Sequence, residues 1–262
     1  YTYKDRLEID KLFSHVDVSD EVLGLQEEVF TRLKAFQKLL SHPDLEPDID
    51  IGAHCKQPYQ CDAYDYCWKQ QRNIPDYSVF NIFNMGSKPL SLYRDGIVNV
   101  EDIPDDKLTS YNKKLAVHSW INKTQHIDKK AIKGFLIRLT YPIYHLDFET
   151  FQSAVPSFNN QRPYQQICFQ YSLHVEYEDG RPLEHKEFLA KEGIDPRKLF
   201  IKSLIKDIPS DVTILVYNES FEKTRIKELS QDYPQYLSEL NGINDCIIDL
   251  AEPFQKKYYY DY

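Results

Sequence analysis

The run YPIYHLDFET, residues 141–150, sets two carboxylates, Asp147 and Glu149, two apart in a stretch that otherwise reads as a buried strand. In a strand, residues i and i+2 face the same side. Two acids side by side at the end of an apolar strand repel each other and resist desolvation, unless something positive, most economically a divalent cation, holds them together. The spacing therefore marks a candidate metal site. The competing reading is a strand end running into water, with both acids as ordinary exposed charges.

Downstream of the acidic pair the chain reads as a mixed α/β fold. Residues 165–190, QQICFQYSLHVEYEDGRPLEHKEFLA, give two strands around a Glu-Asp-Gly turn. DPRKLFIKSLIKDI then has helical spacing at Leu199, Ile201, Leu204, Ile205 and Ile208, with Asp195 and Pro196 as N-cap and first helical residue. The strand VTILVYN, the polar helix ESFEKTRIKELSQ and a short run CIIDLAEPF complete the order β-ββ-α-β-α-β.

Cys55, Cys61 and Cys67 are spaced C-x5-C-x5-C in a polar loop, in a chain with five cysteines. Three thiolates at regular loop spacing suit a soft metal or an iron–sulfur cluster, either of which normally takes four ligands. His54 is a substitute fourth ligand or an incidental neighbour. An odd number of loop cysteines and no signal peptide argue for a reducing cytoplasm rather than a disulfide framework. Cys168 and Cys246 fall in apolar strands and read as core thiols.

Composition adds limits. The 42% hydrophobic content contains no long apolar run, which excludes a membrane-spanning helix as the sequence reads. The net charge of −9 gives no global attraction to nucleic acid. A local basic run exists in KTQHIDKKAIKGFLIR, where Lys123, Lys129, Lys130, Lys133 and Arg138 precede the acidic strand; it is a nucleic-acid rim or a solvated helix face. Further upstream, Leu25, Val29, Leu33, Phe36 and Leu40 form one stripe of an amphipathic helix.

The element order, with acids at the ends of central strands, resembles an RNase H-like α/β domain. HLDFET resembles the first motif of the DEDD exonucleases, and YNESFEKTRIKEL their second, an Asn followed by Phe and an acid at a strand-to-helix junction. The acid is Glu222 here, where most of that superfamily has Asp; taken alone, Glu222 also reads as a helix-surface acid paired with Arg225 at i,i+3. Asn218 and Asp249 take supporting roles, and the third motif, a Tyr or His four residues before an Asp, is not met at YYYDY. Almost the whole chain is similar to bacterial proteins that join a RecB-like PD-(D/E)XK nuclease to a C-terminal DEDD-type domain.

The resemblance implies three parts: residues 1–70 as the tail of the RecB-like domain with its cysteine cluster, 71–140 as a helical connector, and 141–262 as a C-terminally incomplete RNase H-like domain. Within the connector, LYRDGIVNVEDI resembles a helix-hairpin-helix turn. The chain looks like an internal fragment of such a protein, whose upstream nuclease would lie in the same full-length chain. The implied chemistry is 3′ to 5′ hydrolysis of DNA or RNA by two Mg²⁺ or Mn²⁺ ions, Asp147 bridging both, Glu149 and Glu222 holding one each, and with the third motif unmet the stretch is expected to be inactive or nearly so. The cysteines would take three bonds of a 4Fe–4S cluster completed from far upstream. Two other classes stay open: a non-catalytic module that binds nucleic acid or a partner, and a zinc-binding adaptor resting on the three cysteines alone.

Overall fold

The structure is a computed structural model and describes residues 1–42, 44 and 46–262. It divides into two compact units. One comprises residues 15–126 with 261–262, the other residues 1–14 with 127–260. The expected parts 1–70 and 71–140 both fall mainly in the first.

The first unit is helical. Helix α1, Ser19–Leu40, forms where the apolar stripe predicts it, yet none of its residues is buried. The core lies downstream in two clusters. Ile51, Cys55, Trp68 and Ile74 pack around the cysteine loop. Val79, Ile82, Met85, Leu92, Val100, Ile103, Leu108 and Val117 pack around α2 (Lys88–Arg94) and α3 (Tyr111–Asn122). Between those helices LYRDGIVNVEDI forms the end of α2, a turn through Gly96 at φ +81° and one 3₁₀ turn. The left-handed φ is open to Gly without the Cβ penalty that other residues meet. Asp50 ties the loop down, accepting hydrogen bonds from the Tyr93 hydroxyl at 2.8 Å and Arg72 Nε at 2.6 Å.

The second unit is a mixed α/β layer. A short helix α4, Lys129–Leu136, leads to strand β1, Ile143–Phe151. Then come β2 (Ile167–Glu176), β3 (Glu184–Leu189), α5 (Arg197–Asp207), β4 (Thr213–Val216), α6 (Ser220–Asp232), α7 (Leu237–Asp245), β5 (Ile247–Asp249) and the single turn α8 (Glu252–Gln255). The sheet order is β3-β2-β1-β4-β5. Strand β2 runs antiparallel to both β1 and β3, while β4 and β5 lie parallel to β1 on its other side. The acid-bearing strand is therefore central.

Alternation along β1 decides which face is which. Tyr144, Leu146 and Phe148 are buried, and with Tyr171, Leu173 and Val175 of β2 they pack under α5, α6 and α7 in one core. Phe200 sits at its centre, edge-on to Phe148 at 5.1 Å and to Tyr171 at 5.5 Å. The opposite face carries His145, Asp147 and Glu149, which stay at least partly open.

Helix α5 differs from its sequence reading in two details. Leu199 is half exposed and Phe200 is fully buried in its place, because the aromatic ring fits between Phe148, Tyr171 and Phe188. Pro196 occupies the N-cap, one place later than expected, and Asp195 accepts the Arg197 backbone N–H at 3.1 Å and its side-chain Nε at 3.0 Å. No helix among the described residues is long and apolar enough to cross a membrane.

Candidate functional site

The open end of the central strands gathers the acids. Asp147 and Glu149 are exposed on one face of β1, as the period of two requires, while Phe148 between them is buried. In register, Asp147 stands opposite Ser172 and Glu149 opposite Gln170, and a register irregularity follows between Glu149 and Thr150.

Strand β4 ends at Val216, and the chain turns through Tyr217 and Asn218 into α6. Asn218 holds φ +68°, a left-handed conformation that Asn tolerates better than most residues. Its backbone N–H donates to Asp249 Oδ1 at 2.8 Å, and Ala251 N–H donates to the same oxygen at 2.8 Å. Asp249 thus pins the start of α6 to the end of β5. Asn218's own Oδ1 accepts the Ser220 hydroxyl at 3.0 Å.

The tight turn delivers Glu222, in the first turn of α6, into the unit's interior. Its side chain is 3% exposed, and its Oε2 is buried without a hydrogen-bond partner among the described residues. The surface reading, an i,i+3 pair with Arg225, does not hold: Glu222 is buried, and Arg225 Nε pairs with Glu228 at 3.2 Å instead. Burial, chiefly, pushes the Glu222 carboxyl up to about 7, and the negative charges of Asp147 and Asp249 push the same way. A buried carboxylate with an unsatisfied oxygen facing two further carboxylate charges is costly unless a proton or a cation neutralises it.

An oxygen-only donor set of this kind suits a hard divalent ion such as Mg²⁺ or Mn²⁺, and the orphaned Glu222 oxygen is the feature that fits one. Among the described residues, no three His, Cys, Asp or Glu side chains are grouped as they would be around a bound metal ion. The acids are thus neighbours by charge, with their side chains not drawn in around one point.

Beside Asp147 the open face forms a depression of about 390 Å³, lined among others by His145, Ser172, His174, Tyr217 and Leu250. His145, His174 and His185 follow one another across β1, β2 and β3 in register. Sequence reading missed this row, since its only signal is a His at one level of three strands whose register was not known.

The other expected site residues are spread elsewhere. Lys129 and Lys130 begin α4 and Lys133 lies one turn on, all exposed. In the first unit Cys55 is buried, Cys67 is half-buried against the same small core, and Cys61 is exposed. The Cys61 backbone N–H donates to the Cys55 carbonyl at 3.0 Å, and Gly52 N–H donates to Cys55 Sγ at 3.5 Å. All three are free thiols in one loop, and among the described residues they are not grouped as they would be around a bound metal or cluster.

Residues 144–262 match a domain of unknown function, DUF2779. The matched stretch begins at β1 and takes in Asp147, Glu149, Glu222 and Asp249. The chain is 28% identical to uncharacterized protein UU173 of Ureaplasma parvum over 196 residues, covering 71% of this chain and 28% of the relative. It is 33% identical to uncharacterized protein MG366 of Mycoplasma genitalium over 118 residues, 42% of this chain and 18% of that protein. A Mycoplasma pneumoniae homologue of MG366 shares 28% identity over 143 residues, 48% of this chain. The chain therefore spans roughly a quarter or less of the length of the curated relatives it matches. No solved structure matches it.

Proposed function

We propose that the α/β unit is a metal-dependent phosphodiesterase of the RNase H-like, DEDD exonuclease type, acting on DNA or RNA. The observation that carries this reading is Glu222: a carboxylate delivered into the interior by a left-handed Asn turn, its Oε2 buried without a hydrogen-bond partner among the described residues, beside the charges of Asp147 and Asp249. A structural acid would be paired or exposed; one kept buried and unpaired among like charges is the usual preparation for a cation or a proton. Support also comes from the central position of β1 and from its open face, which leaves Asp147 and Glu149 accessible to a polymer.

In this reading Asp147, Glu149 and Glu222 would hold Mg²⁺ or Mn²⁺, which supplies a water activated as nucleophile and a counter-charge for the phosphate. Asp249 and Asn218 keep Glu222 in place through the turn. Lys129, Lys130 and Lys133 would add a local positive rim to a chain of net charge −9. The cysteine loop would hold an iron–sulfur cluster with a fourth ligand from outside the loop, and its free thiols suit a reducing cytoplasm.

Mn²⁺ titrated into the chain should raise its melting temperature, since mass action stabilises only a state with an intact site, and Asp147→Asn should remove most of the shift. Single-stranded DNA and RNA incubated with the same preparation in Mn²⁺ should be shortened slowly, at the rate of a site short of one carboxylate, and Glu149→Gln should abolish that shortening while leaving the fold intact. Equal metal responses from the wild type and Asp147→Asn, together with inert substrates, would leave the open face as a binding surface without catalysis.

A further inference from the structure

Three histidines share one level of the open face: His145 on β1, His174 on β2 and His185 on β3. Residues directly opposite on neighbouring antiparallel strands carry their side chains on the same face, with Cβ atoms roughly 5 Å apart. The His174 and His185 rings stand 4.4 Å apart between centroids, with their planes at 38°. Two imidazoles bound to one metal through nitrogens about 2 Å from it have ring centres roughly 4.5–5 Å apart, for bond angles between a right angle and the tetrahedral value. The native separation is thus close to that of a chelating pair.

Hydrogen bonding orients one ring of the pair and leaves the other free. His185 Nε2 lies 3.2 Å from Glu187 Oε2. An ionised Glu187 keeps the ring proton on Nε2, which leaves a lone pair on Nδ1. A carboxylate placed behind an imidazole in this way fixes its tautomer and raises the basicity of the nitrogen that faces a metal. The His174 ring is only partly buried, and its nitrogens take no hydrogen bond among the described residues.

Charge on the face decides what such a pair attracts. The strand residues that share it include Asp147, Glu149, Glu176 and Glu187, and no Lys or Arg is among them. An anion is repelled there and a cation is drawn in. Nitrogen donors in turn select transition ions such as Zn²⁺ over Mg²⁺ and Mn²⁺, which prefer oxygen.

We propose that His174 and His185 form a site for a divalent transition ion of the zinc class, with Glu187 orienting His185. The imidazoles supply two bonds and water the rest, in keeping with the absence of any three grouped His, Cys, Asp or Glu side chains among the described residues. The site is distinct from the oxygen donors at Asp147, Glu149 and Glu222, and it is independent of the hydrolase reading.

Zn²⁺ titrated calorimetrically into the full chain in excess Mg²⁺, which fills oxygen sites and leaves imidazoles free, should bind with one equivalent more in the wild type than in His174→Gln or His185→Gln. The difference isolates this pair from the cysteine loop, whose thiols are the same in all three proteins. Glu187→Gln should keep the equivalent and weaken it about tenfold. Zn²⁺ should also protect His174 and His185 of the wild type from carbethoxylation by diethyl pyrocarbonate, read by peptide mass mapping, a measurement that needs no variant to fold. Equal zinc stoichiometry in the wild type and both histidine variants, or undiminished carbethoxylation of the pair in saturating Zn²⁺, overturns the site. An affinity indifferent to Glu187→Gln overturns the role given to that carboxylate.

Discussion

Burial of Glu222 makes the stability of the metal-free sheet unit depend on pH. Its folded carboxyl titrates near 7, against 4.5 for the ordinary group. Between those two values the native state keeps a proton that the unfolded chain has lost, so stability falls as pH rises through that window and the full cost is present above it. The difference corresponds to roughly 3 kcal/mol. Glu222→Gln should therefore raise the melting temperature at pH 8 and leave it nearly unchanged at pH 4.5, and saturating Mn²⁺ should shrink the gap at pH 8 by neutralising the carboxylate. Equal stabilisation at both pH values would mean that the residue acts through packing instead. The cysteines divide in the same residue-by-residue way. Burial pushes the Cys168 thiol up to about 12, whereas Cys61 is exposed. Alkylation of the native protein followed by peptide mass mapping should find Cys61 modified early and Cys168 only after denaturation.

Among the elements, α5 carries much of the sheet's cover, and its rotation is the detail that periodicity left open. Leu199, Ile201, Leu204, Ile205 and Ile208 form a plausible apolar face, and so do Phe200, Ile201, Leu204 and Ile208; the two differ by a small turn of the helix. The structure takes the second, since only Phe200 can fill the space bounded by Phe148, Tyr171 and Phe188. Phe200→Ala should cost about 3–5 kcal/mol in urea unfolding, while Leu199→Ala one residue away should stay within about 0.5 kcal/mol. The strands were legible because alternation and turn residues are local signals, and Asp147 with Glu149 was legible because two acids at that same period interrupt an otherwise apolar strand. Glu222's burial was not. On a polar helix, Arg225 three residues on offers a surface partner, and only the turn at Asn218 and its tie to Asp249, a contact 31 residues apart in sequence, aim the first turn of α6 inward. The histidine row is hidden for the same reason, as register between strands is a long-range property.

At the scale of the whole molecule, the two units have separate hydrophobic cores, one around the sheet and one around the helices and cysteine loop. Residues 1–14 belong with the sheet unit, through Tyr3 N–H to the Gln161 carbonyl at 2.9 Å and Asp5 N–H to Asn159 Oδ1 at 2.7 Å. The sheet unit is thus discontinuous in sequence, and the helical unit is inserted between its two pieces. Separate cores lead to separate cooperative transitions when few contacts couple them. Calorimetry of the metal-free chain should resolve two. Mn²⁺ should move only the transition that Glu222→Gln also moves, because both act on the sheet unit, whereas Trp68→Ala should lower only the other, Trp68 being 4% exposed in the core beside Cys55. One transition that responds to all three perturbations would show instead that the inserted unit and its host unfold as a single cooperative block.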